Sequence, residues 1–234
     1  KKGYKPPSAA TPESVIYIPV DRIICMSTTH LAMIAALGKE DAIAGFSGGE
    51  YVFNKYIYEK GREGLISDVG YEAGLNSELI IKIAPDLIMM YGIGNESAGY
   101  TGKIKELGIK VMFNADYLET DPLGKAEWIK LFGALFCMEA QADSIFRSVS
   151  DSYDRVREYV NAKTDYKPGV LLGLPFRDTW FISPGNSYIS KLISDAGGNY
   201  LWQDTRSNAS MPYNLENVYI EALKADFWLN IGSV

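Results

Sequence analysis

The sequence predicts an α/β protein of two lobes, each with a mainly parallel central sheet, joined by one long rigid helix. Three observations predict it. The first is a pattern that occurs twice. Asn76-Ser77-Glu78 and Asn214-Leu215-Glu216 each open a short amphipathic helix that leads to an Asp (Asp86, Asp226) and then an apolar strand. The second is the alternation of strand-like with helix-like runs, the signature of an α/β layer around a parallel sheet. The third is a stripe of Ala142, Ile145, Phe146, Val149, Tyr153, Val156 and Val160, whose spacings of three and four mark an amphipathic helix. Over residues 140–162 that helix would be about 34 Å long at 1.5 Å per residue, long enough to act as a strut.

The elements follow in order. Residues 1–14 are polar and rich in Pro, Ala, Ser and Thr, and read as a flexible leader. Val15–Ile18 and Arg22–Met26 are strand candidates. Ser27-Thr28-Thr29-His30 offers capping groups for a helix through Leu37, stopped by Gly38. Ala42–Phe46 reads as a strand, with a Ser47-Gly48-Gly49 turn after it that lacks the spacing of a phosphate-binding loop. Helices are expected near Val52–Lys60, Asn76–Ile83 and Gly102–Leu107, and buried strands at Asp86–Tyr91 and Lys110–Phe113. Asn caps a helix by accepting from its free N–H groups, and Glu in the first turn suits the positive end of the dipole. Pro122 suits a helix start. Tyr166-Lys167-Pro168-Gly169 breaks the chain, and Val170–Leu174 begins a second α/β region. There Phe181-Ile182-Ser183 leads through a Pro-Gly-Asn-Ser loop to a helix ending at Gly197-Gly198, echoing the Met26–Gly38 unit. The expected domains are therefore 15–121, a helical connector 122–165, and an incomplete second lobe 166–234. Internal symmetry puts about 50–100 residues more on a second lobe of ordinary size.

Composition bounds the function. The 234 residues suffice for one large or two modest domains, with 47% hydrophobic and 22% charged residues. A net charge of −6 without a basic block disfavours nucleic acid, whose phosphates need clustered Lys and Arg. No apolar run approaches the roughly 18–20 residues that span a bilayer. Cys25 and Cys137 lack metal spacing and read as packing residues. A single His excludes a zinc or manganese site built from several imidazoles.

Four segments carry a resemblance: Arg22–Gly45, Gly74–Tyr91, Asp121-Pro122-Leu123-Gly124-Lys125-Ala126-Glu127-Trp128, and Asn214–Asn230. In this order, from about residue 15 to the end, the chain resembles the substrate-binding proteins of ABC importers for iron–siderophore complexes, haem and cobalamin. The resemblance implies two α/β lobes on one rigid helix and a ligand in the cleft. It implies a site outside the cytoplasm, periplasmic or on the outer face of the membrane, with the polar leader consistent with a lipid anchor. Family members are usually longer at the C-terminus. In the family a surface Glu in each lobe docks on Arg residues of the permease, and the matching positions are Glu78 and Glu216. The bland reading is that each merely complements a helix dipole.

Ligands of α/β sheets sit beyond the C-terminal ends of the strands. Candidate contacts in the first lobe are Thr29, His30, Gly49, Glu50, Tyr51, Tyr71 and Tyr91. In the second they are Phe176, Arg177, Trp180 and Trp202, with Arg206, Met211 and Tyr213 on the Trp202 loop. Aromatic side chains offer broad apolar faces with a polar tip, suited to a large chelate. Trp202 and Tyr91 also read as core or strand-end residues, and His30 as a polar helix start with axial haem ligation as the sharper alternative. Arg177 reads either as a solvated charge or as a partner for an anionic ligand. No cofactor and no catalytic residue is expected. The rival class is an enzyme such as a metal chelatase or hydrolase, for which no Gly-x-Ser-x-Gly elbow is present. A third reading is a sensor without a pump.

Overall fold

The computed structural model describes residues 15–71, 74–92, 102, 104–163 and 166–229. The expected leader lies outside them. Contacts divide the chain into two units, residues 1–115 with 128–146, and residues 116–127 with 147–234. The helices expected as a separate connector are thus apportioned between the two.

The first unit is built on a five-stranded sheet in the order β3-β2-β1-β4-β5. Its strands are β1 (Ile23–Cys25), β2 (Ile43–Phe46), β3 (Ser67–Asp68), β4 (Leu87–Tyr91) and β5 (Val111–Asn114), and every neighbouring pair is parallel. Successive side chains of a strand point to opposite faces, and the core divides accordingly. Ile23, Cys25, Leu87 and Met89 face one layer, with Leu31 and Ile34 of the Thr28–Ala36 helix and Phe132 and Leu135 of the Ile129–Phe136 helix. Ile24, Ile88 and Met90 face the other, with Ile80 and Ile83 of the Ser77–Ile83 helix and Ile104. Burial on both faces is why β1 and β4 are continuous apolar runs rather than alternating ones.

Several boundaries differ from the sequence reading. Val15–Ile18 is not a strand: Ile16 and Ile18 pack against the core from a loop, and the Val20 N–H donates to the Leu135 carbonyl at 2.9 Å. The helix expected over Val52–Lys60 spans Lys55–Arg62, because Asn54 caps it by accepting from the Ile57 N–H at 3.1 Å. The one expected over Gly102–Leu107 falls partly outside the described residues, and 104–106 are helical. Cys25 is buried, and Cys137 ends a helix in the left-handed conformation; both are free thiols.

The long helix spans Glu139–Lys163, about 37 Å at 1.5 Å per residue. Gly133 lets its first turns approach the preceding helix, since a Cβ there would overlap that of Ala142. The stripe has the expected period but is not buried along its length. Ala142 is covered, whereas Val149 and Val156 are 44% and 59% exposed. Within the second unit they line a groove of about 520 Å³ with Leu192 and Ala196. In that groove the Tyr153 hydroxyl donates to Asp195 at 2.7 Å.

The second unit holds a parallel sheet in the order β11-β6-β9, formed by Phe227–Leu229, Gly169–Leu172 and Asn199–Tyr200. It also holds an antiparallel ribbon, β10-β8-β7, of Met211–Asn214, Thr179–Ile182 and Pro175–Phe176. The order 11-6-9 repeats the order 4-1-2 of the first unit. The strand equivalent to β1 is therefore β6, and not the Phe181–Ser183 segment that the sequence suggested. The β7–β8 hairpin is inserted between β6 and its helix, Tyr188–Asp195.

The duplicated motif has a duplicated geometry. Asn76 and Asn214 cap their helices by accepting from Leu79 N at 2.9 Å and Asn217 N at 2.8 Å. The Asp86 carboxylate accepts from the Asp21 and Arg22 N–H groups at 2.9 and 3.0 Å, while its own N–H donates to the Arg22 carbonyl. Asp226 does the same to Gly169, accepting at 2.7 Å and donating at 2.8 Å. In each unit this Asp pins the start of one parallel strand to the next.

Candidate functional site

In the first unit the strand order reverses at β1, between β2 and β4. The C-terminal end of such a switch point is where parallel sheets leave a crevice. The segments there are Met26–Ser27 after β1, Ser47–Tyr51 after β2, Val69–Tyr71 after β3 and Gly92 after β4. Their residues are fixed by local bonds. Ser27 caps the first helix, its hydroxyl lying 3.0 Å from that of Thr29. The Asp68 carboxylate accepts from Gly49 N at 3.0 Å and from Gly70 N at 2.9 Å, tying two loops together. Gly70, at φ 82°, turns the chain where a side chain would overlap the Gly74 carbonyl, and Tyr71 follows it.

That turn brings Tyr71 to Tyr91. The Tyr91 hydroxyl donates to the Tyr71 oxygen at 3.1 Å. Tyr71 is half exposed and Tyr91 partly so, at the C-terminal end of the parallel strands. Thr29 is exposed in the first turn of the Thr28–Ala36 helix, and Glu50 and Tyr51 are exposed after β2, with Gly49 half-buried. Asp68 escaped the sequence reading, although Asp-Val-Gly at a strand end is a turn signal that could have found it.

Three candidates are corrected by burial. His30 is fully covered, its ring tilted against that of Phe132 with centroids 6.1 Å apart. Neither ring nitrogen has a well-aligned hydrogen-bond partner. Burial lowers its pKa to about 4, offset in part by the nearby Met89 carbonyl, so the imidazole is neutral and has no open face for a haem iron. Trp180 is buried, and its indole N–H is satisfied by the Leu172 carbonyl at 3.1 Å. Trp202 is buried between Tyr200 and Tyr213. An indole satisfied by a buried carbonyl or ringed by aromatics is a core residue.

Phe176 and Arg177 occupy the exposed turn of the β7–β8 hairpin. Arg177 has φ 56° and its guanidinium lies 5.3 Å over the Phe176 ring. Arg206 donates to the Gln203 and Thr205 carbonyls, so it braces its own loop. Glu78 and Glu216 are exposed, each in the first turn of its capped helix. Among the described residues no group of three or more His, Cys, Asp and Glu could hold a metal, and no helix is long and apolar enough to cross a membrane.

Comparison with known proteins agrees with this architecture. The chain is 33% identical over 224 residues to an uncharacterized lipoprotein of Methanocaldococcus jannaschii, covering 92% of this chain and 53% of the relative. It therefore spans about half the length of that relative. The fold is similar to a possible iron-binding (periplasmic solute-binding) protein of Staphylococcus epidermidis. There the TM-score is 0.70 at 18% identity, covering 91% of this chain and 77% of the other. It is also similar to the periplasmic vitamin B12 binding protein BtuF of Vibrio cholerae, with TM-score 0.68, 16% identity, and 91% and 76% coverage. A family model described as periplasmic binding protein matches residues 23–229. With the doubly wound sheet, the repeated capped helices and this match across most of its length, the chain belongs to the periplasmic binding protein family.

Proposed function

We propose that this chain is the ligand-capturing part of an ABC importer for a metal chelate of the ferric siderophore, haem or cobalamin class. The observation that carries the reading is the phenol pair of Tyr71 and Tyr91 at the switch point of the first unit, on a fold shared with an iron-binding and a B12-binding protein. Thr29 at the adjoining helix start and Gly49, Glu50 and Tyr51 after β2 supply hydroxyl, backbone and aromatic contacts. Phe176 and Arg177 are the exposed pair offered by the second unit. Capture needs no covalent step, so no residue is given a catalytic role. The protein works outside the cytoplasmic membrane, in keeping with the lipoprotein name of its relative.

Delivery requires a permease and its ATPase. Glu78 and Glu216 are the docking points, supported by their exposure and by the similarly Asn-capped helix that presents each one. Two like acidic groups on two like units suit a permease that offers two like basic surfaces.

The test is a thermal-shift screen of a ferric hydroxamate, haem and cobalamin against the chain. At ~100-fold excess over Kd a true ligand stabilises by about 2.7 kcal/mol. A flat response to all three classes defeats the reading. For delivery, the Glu78→Lys, Glu216→Lys double variant is expected to lose uptake in a transport assay while keeping ligand affinity. A variant that loses affinity instead places these residues in the ligand site.

A further inference from the structure

We infer, independently of the ligand reading above, that the groove between the long helix and the Tyr188–Asp195 helix is the seat of one further amphipathic helix, contributed by the same polypeptide. The long helix carries the signal. Ala142, Phe146, Val149, Tyr153, Val156 and Val160 follow one another at spacings of four, three, four, three and four. Two apolar or aromatic residues in every seven, on one side of a helix, form a seam on which a second helix packs. Only the first part of this seam is covered. Ala142 is buried, and Ile145 and Phe146 pack against the core of the first unit, whereas Val149 and Val156 lie exposed beyond it.

The first unit shows what covers such a seam. There Gly133 of the Ile129–Phe136 helix meets Ala142, and Phe132 shares a core with Leu31 and Ile34 of the Thr28–Ala36 helix. The second unit repeats two of these three helices. Tyr188–Asp195 is the counterpart of Thr28–Ala36. Each comes after the central strand of its parallel sheet, and each is capped by a serine, Ser27 or Ser187. Each gives way to a glycine at positive φ, Gly38 at 65° and Gly197 at 84°. Tyr188–Asp195 is fastened to the long helix by the Tyr153 bond to Asp195 and at Gly197, where a Cβ would overlap Val160. Beside these contacts Val149, Tyr153, Val156, Leu192 and Ala196 line the groove of about 520 Å³. It is the place that Ile129–Phe136 takes in the first unit, left open among the described residues. Asp195 is already met by Tyr153 and by Lys191 at 2.9 Å, so apolar surface is what remains to be covered.

The occupant is therefore a helix with an apolar stripe of its own and a small residue at the closest approach, as Gly133 is to Ala142. A second copy of this chain cannot lend its Ile129–Phe136 helix, because Ile129, Phe132, Leu135 and Phe136 are buried in their own core. In the first unit the covering helix belongs to the same polypeptide. The Methanocaldococcus jannaschii relative, of which this chain spans about half the length, has residues enough to supply another.

The probe is a hydrocarbon-stapled, fluorescein-labelled peptide of residues 128–138, which presents the stripe of the first unit's covering helix in preformed helical state. Fluorescence anisotropy is expected to show saturable one-to-one binding to the 234-residue chain. Val149→Asp and Val156→Asp should each weaken it by about tenfold or more, since each sets a charge against an apolar stripe. Phe181→Asp, at an exposed position of β8, should leave it unchanged. Circular dichroism checks that each variant is folded. The protein encoded by the complete reading frame should refuse the peptide. There Val156→Asp should lower the urea midpoint, which in the 234-residue chain stays unmoved. A peptide that fails to bind the chain overturns the inference, as does binding that survives both Asp variants or is matched by a scrambled peptide. A complete protein that takes up the peptide as readily as the chain also overturns it, since the groove is then not filled in cis. The ligand reading is judged separately, by the thermal-shift screen.

Discussion

His30 shows how a single side chain can reverse its meaning on burial. By sequence it stands at a helix start, beside hydroxyls, in the first lobe's ligand loops. In the fold it turns inward beneath Phe132 and stays neutral, its pKa lowered to about 4 by loss of water. An unfolded chain protonates this residue near pH 6.5, so between pH 6.5 and 4 the unfolded state binds more protons. Stability is thus undiminished above that window, falls as pH drops through it, and levels off below it. The slope contributed is at most about 1.4 kcal/mol per pH unit. Urea denaturation of the wild type and His30→Leu at pH 7 and pH 5 checks this: the variant is expected to lose the His30 share of the difference. An unchanged difference means the imidazole is not the titrating group. Trp180 is corrected, and the core reading of Trp202 preferred over its site reading, for a related reason. A loop position and an amphipathic ring suggest a site, but which way each ring turns is set by pairing: the Leu172 carbonyl takes the Trp180 indole and the Tyr200 and Tyr213 rings flank Trp202, contacts near in sequence that no local pattern announces.

At the scale of elements, the duplicated helix-and-strand motif was legible because its signals are local. An Asn cap, a Glu in the first turn and an Asp before the strand all act within a few residues or on the adjoining strand. Asn76→Ala and Asn214→Ala are each expected to cost about 1 kcal/mol of stability, read from denaturant midpoints. Asp226→Ala should cost about 1–3 kcal/mol, since it leaves the Gly169 N–H without its carboxylate. A midpoint unmoved by Asp226→Ala removes its role as a pin between strands. What the motif does not encode is its cover. Residues 87–90 of β4 are buried between two layers, whereas the matching Phe227, Trp228 and Leu229 of β11 are each exposed. Phe227 and Trp228 border an apolar hollow of about 580 Å³ with Tyr219 and Leu223. The hairpin of β7 and β8 was equally hard to place, because strand pairing is a long-range choice that a four-residue run cannot announce.

The whole chain carries separate cores. Clusters around Ile23 and Ile24 serve the first unit, and one around Val170, Trp180 and Tyr200 serves the second. Trp180, Trp202 and Trp228, three of the four tryptophans, belong to the second unit. Ile24→Ala, at a fully buried position, should cost about 2–5 kcal/mol in the first unit. The transition followed by far-UV circular dichroism is expected to move by more than the one followed by tryptophan emission. Equal shifts of both probes would mean that the two units unfold as one cooperative body.

The α/β class, the repeated capped helices, most of the apolar strands and the long helix are legible in the chain before it folds. Each follows from periodicity and capping within a dozen neighbouring residues. Only the tertiary structure decided which aromatic side chains are open and which are core, that β6 rather than β8 leads the second sheet, and that Tyr71 meets Tyr91. Those outcomes depend on strand order and on burial by distant segments, where the free energy belongs to contacts between residues far apart in the chain.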